Sequence, residues 1–309
     1  MALVPEQVNI PVAWAAQELE KRGHALRVEL LYTPEGTGKM MDMLERREAD
    51  IALTVADGFI AGRAGSGKKQ VRLLGTFVES PLIWAVACGA SSPHKTLDDL
   101  APAALGRACR FGISRLGSGS HTMGIYTGKN FLRGAATEFV VANNINGLCD
   151  GANSNLFDAF MWETFTTKPL FDSGTLKKVG EVATPWPAFV FVCSSSAESA
   201  EREREINSDL KKHFFPDLKA ACERFVDPSP AACEEAVQRI CSEHGHQRQD
   251  ALQWLSAVQY ASGSSFGISR SRYARAVETL QEAGLVPPGY KAEDLWRCDS
   301  DEDAATVVP

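Results

Sequence analysis

A regular alternation of amphipathic helices and short apolar strands in the first third of the chain constrains its fold more than any other feature. Apolar residues from Val12 to Leu19 recur at helical spacing. The runs 27–32 and 50–55 are typical of strands, with a second helix predicted between them and a loop predicted at 57–58. This alternation predicts an α/β fold with a mostly parallel sheet covered by helices. In such sheets the loops at the carboxyl ends of the strands form the ligand-binding crevice.

The same alternation starts again near residue 90, and the pattern becomes helical after residue 198. Strands are predicted in this part at 110–114, 137–141 and 188–193. The clearest late helix covers 269–283 and is followed by Gly284, a common residue at a helix C-terminus. The acidic end of the chain, 299–309, is predicted to be a disordered tail.

The charge balance argues against a protein that binds nucleic-acid backbones. The chain has 32 Lys and Arg against 39 Asp and Glu, a formal net charge of -7, whereas affinity for phosphate backbones requires clustered cations. No run approaches the roughly 20 apolar residues of a membrane span, and no secretory signal is visible at the N-terminus. We therefore expect no nucleic-acid partner, no membrane insertion and a cytoplasmic location.

The cysteines predict neither a metal site nor disulfides. The chain has eight of them, scattered without a Cys-x-x-Cys pair or a Cys–His metal spacing. Reduced thiols with structural roles in the cytoplasm are the simplest interpretation. We expect no metal and no cofactor.

The most informative segment is 114–121, Ser-Arg-Leu-Gly-Ser-Gly-Ser-His, between a predicted strand and a predicted helix. Unpaired amides at a helix N-terminus, together with the helix dipole, bind anions. Glycines let a ligand approach the backbone closely. Ser118 and Ser120 would add hydroxyl donors, and Arg115 would add charge. From spacing alone, an ordinary N-cap turn filled by solvent explains this segment equally well.

Three other features have weaker functional interpretations. Residues 62–69 resemble a phosphate-binding loop, but the last position is Lys instead of Ser or Thr, and no strand precedes it. Ser120 and His121 are adjacent without a Gly-x-Ser-x-Gly motif, so a hydrolase pair is not supported. Trp162 and Trp186 lie beside polar or turn residues, where aromatic rings often line ligand clefts, although core packing is the commoner role of tryptophan.

Five motifs follow one another in a fixed order along the chain. They are 4–9 (Val-Pro-Glu-Gln-Val-Asn), 34–38 (Pro-Glu-Gly-Thr-Gly), 114–120, 159–163 (Ala-Phe-Met-Trp-Glu) and 184–186 (Thr-Pro-Trp). Together they resemble a small group of intracellular proteins with the type II periplasmic solute-binding fold, related to sulfonate- and thiamine-precursor-binding (pyrimidine precursor synthase-like) proteins. The resemblance covers residues 3 to 195 well and continues in the C-terminal helices.

The resemblance implies a two-lobed α/β, type II periplasmic-binding-protein-like fold with a hinge, a helical C-terminal segment and a ligand between the lobes. Lobe one would comprise 1–86 plus 185–298, and lobe two 87–184. The implied ligand-binding residues of lobe one are Glu6, Asn9, Glu35, Thr37, Thr54, Asp57 and Ser80. Those of lobe two and of the returning strand are Ser114, Arg115, Gly117, Ser118, Gly119, Ser120, Asn144, Trp162 and Trp186.

Two departures from the family pattern are visible. Only 2–4 precede the Pro-Glu motif, where the family has a full strand, so either the first strand is short or the sequence begins late. The chain also lacks the cysteine cluster of the pyrimidine-precursor synthases, which argues against their chemistry.

The function that the resemblance implies is non-catalytic binding of a small anionic or zwitterionic organic metabolite, for sensing, buffering or delivery. Glu6, Glu35 and Asp57 would favour an amine in addition to an anion. The alternative is an enzyme of thiamine-precursor or related heterocycle metabolism that uses the same cleft. His121 is the one histidine near the predicted site that could titrate in such an enzyme.

Overall fold

Two structural units divide the chain, which a computed structural model describes over residues 1–65, 70–133, 137–194, 200–262, 266–296 and 307–308. Unit 1 comprises Met1–Ser80, Trp186–Val277 and Gly289–Pro309, and unit 2 comprises Pro81–Pro185 and Glu278–Pro288. Each unit has its own five-stranded sheet.

The described residues form the following strands and helices. The strands are β1 (Ala2–Leu3), β2 (Leu31–Tyr32), β3 (Ile51–Val55), β4 (Val71–Val78), β5 (Ile83–Gly89), β6 (Cys109–Ile113), β7 (Thr137–Val141), β8 (Ala159–Glu163), β9 (Leu176–Ala183), β10 (Phe189–Ser194), β11 (Ile268–Ser269) and β12 (Val307–Val308). The α-helices are α1 (Ile10–Lys21), α2 (Thr37–Glu45), α3 (Ala56–Gly65), α4 (Pro102–Leu105), α5 (Gly119–Phe131), α6 (Ile145–Asn153), α7 (Thr164–Asp172), α8 (Ala200–Asp209), α9 (Phe215–Phe225), α10 (Pro230–His244), α11 (Arg248–Ala257) and α12 (Arg270–Glu282).

The sheet of unit 1 has the strand order β2-β1-β3-β10-β4. Its first three strands are parallel, and β10 runs antiparallel to both of its neighbours. The predicted strand 27–32 is shortened to β2, because its neighbour β1 offers only two residues for pairing. The predicted loop at 57–58 is instead the first turn of α3, which starts directly after β3.

The sheet of unit 2 has the strand order β7-β6-β8-β5-β9. Here β7, β6 and β8 are parallel, and β5 is antiparallel to β8 and β9. The parallel strands lead into helices: β6, β7 and β8 precede α5, α6 and α7. The N-termini of these helices therefore lie at the carboxyl edge of the sheet. In unit 1, β1, β2 and β3 precede α1, α2 and α3 in the same way.

The sheet of unit 1 has an apolar core. All eight residues of β4 and all six of β10 are buried, as expected for strands covered on both faces. A further cluster in unit 1 packs α1 against α9, α10 and α11 around Ile10, Phe225 and Ile240. No helix in the described ranges is long and apolar enough to cross a membrane.

Some sequence-based expectations fall partly outside these ranges. In the phosphate-loop-like segment 62–69, α3 ends at Gly65 and residues 66–69 lie outside the described part of the chain. Of the predicted tail, only Val307–Val308 is described, as β12 alongside β11. No disulfide joins the seven cysteines that the structure describes.

Candidate functional site

The turn between β6 and α5 in unit 2 is organised around Ser118. This residue is the N-cap of α5, and its hydroxyl accepts a hydrogen bond from the amide of His121 at 3.3 Å. The same hydroxyl donates to the carbonyl of Arg115 at 2.7 Å. Both hydrogen bonds of the Ser118 hydroxyl therefore stabilise the turn, as is usual for a serine N-cap.

The other two serines of the turn complete a small buried network. Ser120 Oγ accepts a hydrogen bond from the amide of Ser114 at 3.0 Å and lies 2.9 Å from Ser118 Oγ. All three serines are at most 7% exposed. The network rigidifies the turn, so its shape is fixed before a ligand binds.

The backbone of the turn offers free donors. The described residues provide no acceptor for the amides of Gly119 and Ser120, the first two of α5. Gly117 has φ 74°, which favours glycine, and a Cβ there would have nothing within 4 Å. The turn therefore presents two amide donors at the positive end of a 13-residue helix.

His121 lies in the first turn of α5 as a neutral imidazole. Its Nδ1 accepts a hydrogen bond from the amide of Gly117 at 3.0 Å, so the neutral ring carries its proton on Nε2. The ring packs edge-on against Phe139 with centroids 4.6 Å apart, and burial lowers the pKa of His121. At neutral pH this histidine supports the turn without adding charge to it.

The neighbouring helices α6 and α7 are capped by their own side chains. The Asn144 carboxamide accepts a hydrogen bond from the amide of Gly147 at 3.0 Å and is exposed. The Glu163 carboxylate accepts from the amides of Phe165 and Thr166, at 3.1 and 2.7 Å. Burial raises the pKa of Glu163. Above that pKa the carboxylate is negatively charged, so it would repel an anion at the N-terminus of α7. This cap was not predicted from the sequence, because an acidic residue before a helix is also common on solvent-exposed surfaces.

Four buried donors of unit 2 have no hydrogen-bond partner among the described residues. One is Nε of Arg110, whose guanidinium is paired with Asp158 through another nitrogen. The other three are neutral: the indole Nε1 of Trp84 and the hydroxyls of Thr122 and Thr164. Trp84 is opposite Glu163, the last residue of β8, and Thr164 comes next in the chain. A buried polar group without a partner costs about 1–3 kcal/mol, so these groups are candidates for contact with a ligand. None of these donors was predicted from the sequence.

The two tryptophans that were predicted to bind a ligand differ in their burial. Trp162 on β8 is half-buried and packs against the apolar cluster that contains Leu148 and Phe160. Trp186 is 3% exposed and belongs to the core. The ring of Trp162 is therefore partly accessible for stacking, whereas that of Trp186 is covered.

In unit 1, three predicted polar residues lie at the carboxyl ends of β1 and β3. Asn9 donates from Nδ2 to the carbonyl of Val4, just beyond β1, at 2.8 Å. Thr54 is on β3 and Asp57 is in the first turn of α3. Asn9 Oδ1, Thr54 Oγ1 and Asp57 Oδ2 are buried, and the described residues offer them no hydrogen-bond partner.

Asp57 is the most perturbed acid of this group. Burial raises its pKa to about 6, against the lowering effect of the amides of Asp57 and Gly58, which donate to its carboxylate. A carboxyl group with this pKa is largely ionised at neutral pH although it is buried. It therefore has a strong electrostatic preference for a cationic partner.

The remaining predicted residues of unit 1 have varied positions. Thr37 Oγ1 accepts from the amide of Val55 at 3.3 Å and fastens α2 to the end of β3. Ser80 Oγ accepts from the amide of Gln259 at 3.0 Å. Glu6 is half-buried, and Glu35 is exposed. The contacts of Thr37 and Ser80 are therefore structural, and they do not by themselves indicate that either residue binds a ligand.

Comparison with known proteins identifies the fold. The sequence model of the Ca3427-like PBP (periplasmic binding protein) family matches residues 84–182. The chain is similar to the Candida albicans CA3427 gene product, which has the generic periplasmic binding protein fold. The two are 26% identical, with a TM-score of 0.78 over 99% of this chain and 94% of that chain. No curated protein matches.

More distant structures share the same fold. The aliphatic sulphonate-binding protein SsuA of Escherichia coli is 14% identical, with a TM-score of 0.68 over 98% of this chain and 92% of that chain. The alkanesulfonate-binding SsuA of Xanthomonas axonopodis pv. citri, solved with MOPS, is 14% identical, with a TM-score of 0.64 over 93% of this chain and 94% of that chain. The expected periplasmic-binding-protein-like α/β fold is confirmed, and this fold implies binding of a small molecule.

Proposed function

We propose that this protein binds a small organic anion or zwitterion without converting it, and that the anionic group occupies the turn before α5. The observation that carries the proposal is the pair of unpartnered amides at Gly119 and Ser120. The serine network fixes these amides in place, so little conformational entropy is lost when an anion binds.

The unpartnered donors of unit 2 support the same chemistry. Trp84 Nε1 can only donate, and the hydroxyls of Thr122 and Thr164 can donate as well. Hydrogen bonds from such groups to a charged acceptor contribute about 1.5–3 kcal/mol each. An anion can therefore bind here through neutral donors, in a chain whose net charge is -7.

The finer parts of the proposal follow from the family resemblance. Sulfonate is the first anion to test, because two proteins with this fold bind aliphatic sulfonates. We propose a role in sensing, buffering or delivery, in the cytoplasm. The alternative, an enzyme acting on a heterocycle, stays a prediction without a specific observation in its favour.

A matched pair of glycine substitutions tests the proposed anion site. Gly117 and Gly106 both lie in unit 2, have φ of 74° and 69°, and have nothing within 4 Å of an added Cβ. Each substitution to alanine imposes a backbone strain of about 1–2 kcal/mol. We expect Gly117→Ala to weaken binding of ethanesulfonate, propionate or ethylphosphonate by at least about tenfold, and Gly106→Ala to leave it unchanged.

Isothermal titration calorimetry with each of the three anions provides the measurement. Equal losses in both variants would mean that general destabilisation explains the effect. Failure of all three anions to bind the wild-type protein would contradict the proposal itself.

A further inference from the structure

We infer that the free edge of the unit 1 sheet, residues 26–30, pairs antiparallel with the same residues of a second copy of this chain. The register is centred on Val28, so that Arg27 lies opposite the partner's Glu29 and Leu26 opposite the partner's Leu30. The paired residues belong to unit 1 alone. The inference goes beyond the proposed function and does not depend on a ligand.

The first argument is that the backbone at this edge has unused hydrogen-bonding groups. Strand β2 is the outermost strand of its sheet, next to β1. The Glu29 carbonyl accepts from the Met1 amino group at 2.7 Å, and the Leu31 amide donates to the Met1 carbonyl at 2.9 Å. Odd-numbered residues therefore point their backbone groups at β1, and even-numbered residues point theirs away from the sheet. In the described part of the chain, nothing bonds to the amides or carbonyls of Val28 and Leu30.

The second argument is the strand-like pattern of side chains along the edge. Within 26–30 the even-numbered residues, Leu, Val and Leu, are half-buried, and the odd-numbered residues, Arg and Glu, are exposed. This alternation has the period of a strand. Val28 and Leu30 border a groove of about 380 Å³ that is lined on the helix side by small residues of α1, Ala13 and Ala16. A second strand beside this edge would bring its own apolar row against the groove and remove that surface from water.

The third argument, which selects a second copy as the partner, is the symmetry of the sequence Leu-Arg-Val-Glu-Leu at 26–30. An antiparallel pair centred on Val28 joins Arg27 to the partner's Glu29 and, by the two-fold axis, Glu29 to the partner's Arg27. Such cross-strand pairs of opposite charge are favourable, whereas a register centred on Arg27 or Glu29 would place like charges opposite each other. The Arg27 side chain is 79% exposed, and its contact with Glu20 at 3.5 Å is an exposed pair that contributes little.

The same register uses the free backbone groups of the edge. Val28 and the partner's Val28 exchange both of their hydrogen bonds, as opposite residues of an antiparallel ladder do. The Leu30 amide donates to the carbonyl of the partner's Leu26, and the symmetric bond forms as well. The Leu26 amide takes no part, because it donates to His24 Nδ1 at 3.0 Å. These bonds and the ion pairs form a small interface, which is typical of a weak and reversible dimer.

Sedimentation velocity of the full chain, without added ligand, measures the association. Over about 5 to 500 μM protein we expect a monomer–dimer equilibrium with a dissociation constant of about 100 μM or lower. Arg27→Glu and Glu29→Arg each place like charges opposite each other, so each should raise the dissociation constant at least about tenfold. An equimolar mixture of the two variants restores opposite charges in the mixed dimer, which should associate within about threefold of the wild type.

Two further variants separate the edge from a general effect of charge or folding. Glu48→Arg is the matched control, because it reverses the charge of an exposed acid outside 26–30; the dissociation constant should not change. Val28→Pro removes an amide that has no partner in the described part of the chain. Proline is tolerated in an edge strand where the N–H faces solvent, so this variant should keep the far-UV circular dichroism of the wild type and lose the dimer.

Three outcomes would overturn the inference. A wild-type protein that stays monomeric at about 500 μM does not pair with itself, whatever else the edge contacts. A dimer that survives both charge reversals and Val28→Pro is formed by another surface. Loss of the dimer in each reversal without recovery in the mixture would mean that Arg27 and Glu29 do not face each other across the two-fold axis. Recovery in the mixture alone would support both the partner and the register.

Discussion

At the scale of the residue, Asp57 combines features that favour binding over stability. Its carboxylate is buried and ionised at neutral pH, and one of its oxygens has no hydrogen-bond donor in the part of the chain that the structure describes. A group of this kind destabilises the free protein and is stabilised by a suitable ligand, which is a common trade-off at binding sites. The residue type and position were predicted from the family resemblance, but the burial was not.

Replacing Asp57 should show directly how much its ionised carboxylate destabilises the ligand-free protein. Because the pKa of Asp57 in the folded protein, about 6, exceeds its ordinary value of 3.8, its contribution to stability is greatest below about pH 4 and is lost as the pH rises through 6. Asp57→Asn should therefore match the wild type below about pH 4 and exceed it by up to about 3 kcal/mol above pH 7.

Urea denaturation of the ligand-free proteins across this pH range measures the difference. Glu48→Gln, in which an exposed acid is changed, should follow the wild-type curve at every pH. A destabilised Asp57→Asn at high pH would show that an internal cation or a fixed water network already compensates the charge.

At the scale of the element, the central strand β6 depends on a close contact between a glycine and an aromatic ring. A Cβ on Gly112 would lie 2.4, 2.5 and 2.7 Å from three ring carbons of Phe157. The ring fills the space above the strand, which is paired with β7 on one side and β8 on the other. This contact holds the strand that leads directly into the turn for which we propose anion binding.

A methyl group added at Gly112 should clash less when Phe157 is replaced by a smaller residue. We expect Gly112→Ala to lower the free energy of unfolding of the affected unit by about 1–3 kcal/mol. The double variant Gly112→Ala, Phe157→Leu should cost less than the sum of the two single changes, because the residues are in contact. Urea denaturation of the four proteins in the cycle measures both quantities, and strict additivity would contradict the proposed contact.

At the scale of the whole molecule, the fold implies that a small molecule binds, so a ligand from the expression host could be retained. Native mass spectrometry of freshly purified protein should then show a mass above that of the chain, which disappears on denaturation. Retention through purification requires a Kd of about 1 μM or lower. Ligand-free protein that also binds none of ethanesulfonate, propionate and ethylphosphonate would argue against the proposed binding role.

The fold class could be predicted from the sequence, because the alternation of helical and strand periodicity is visible in residues that are neighbours in the chain. The sequence also located the turn before α5, since the pattern of glycines and serines is contiguous in the chain. The short strands β1 and β2 and the start of α3 differ from expectation because strand length depends on the neighbour available for pairing, and that neighbour is distant in sequence.

Which polar atoms lack a partner depends on the packing of elements that are distant in sequence. Ser118 and Ser120 were predicted as ligand donors, but their hydroxyls are hydrogen-bonded within the turn. Among the described residues, the donors of Trp84 and Thr164 have no partner. Likewise, Thr37 fastens α2 to β3, whereas the hydroxyl of Thr54 has no partner in the described part of the chain. Residue type states what a side chain can donate or accept; the packing of residues remote in sequence decides whether that capacity is already used.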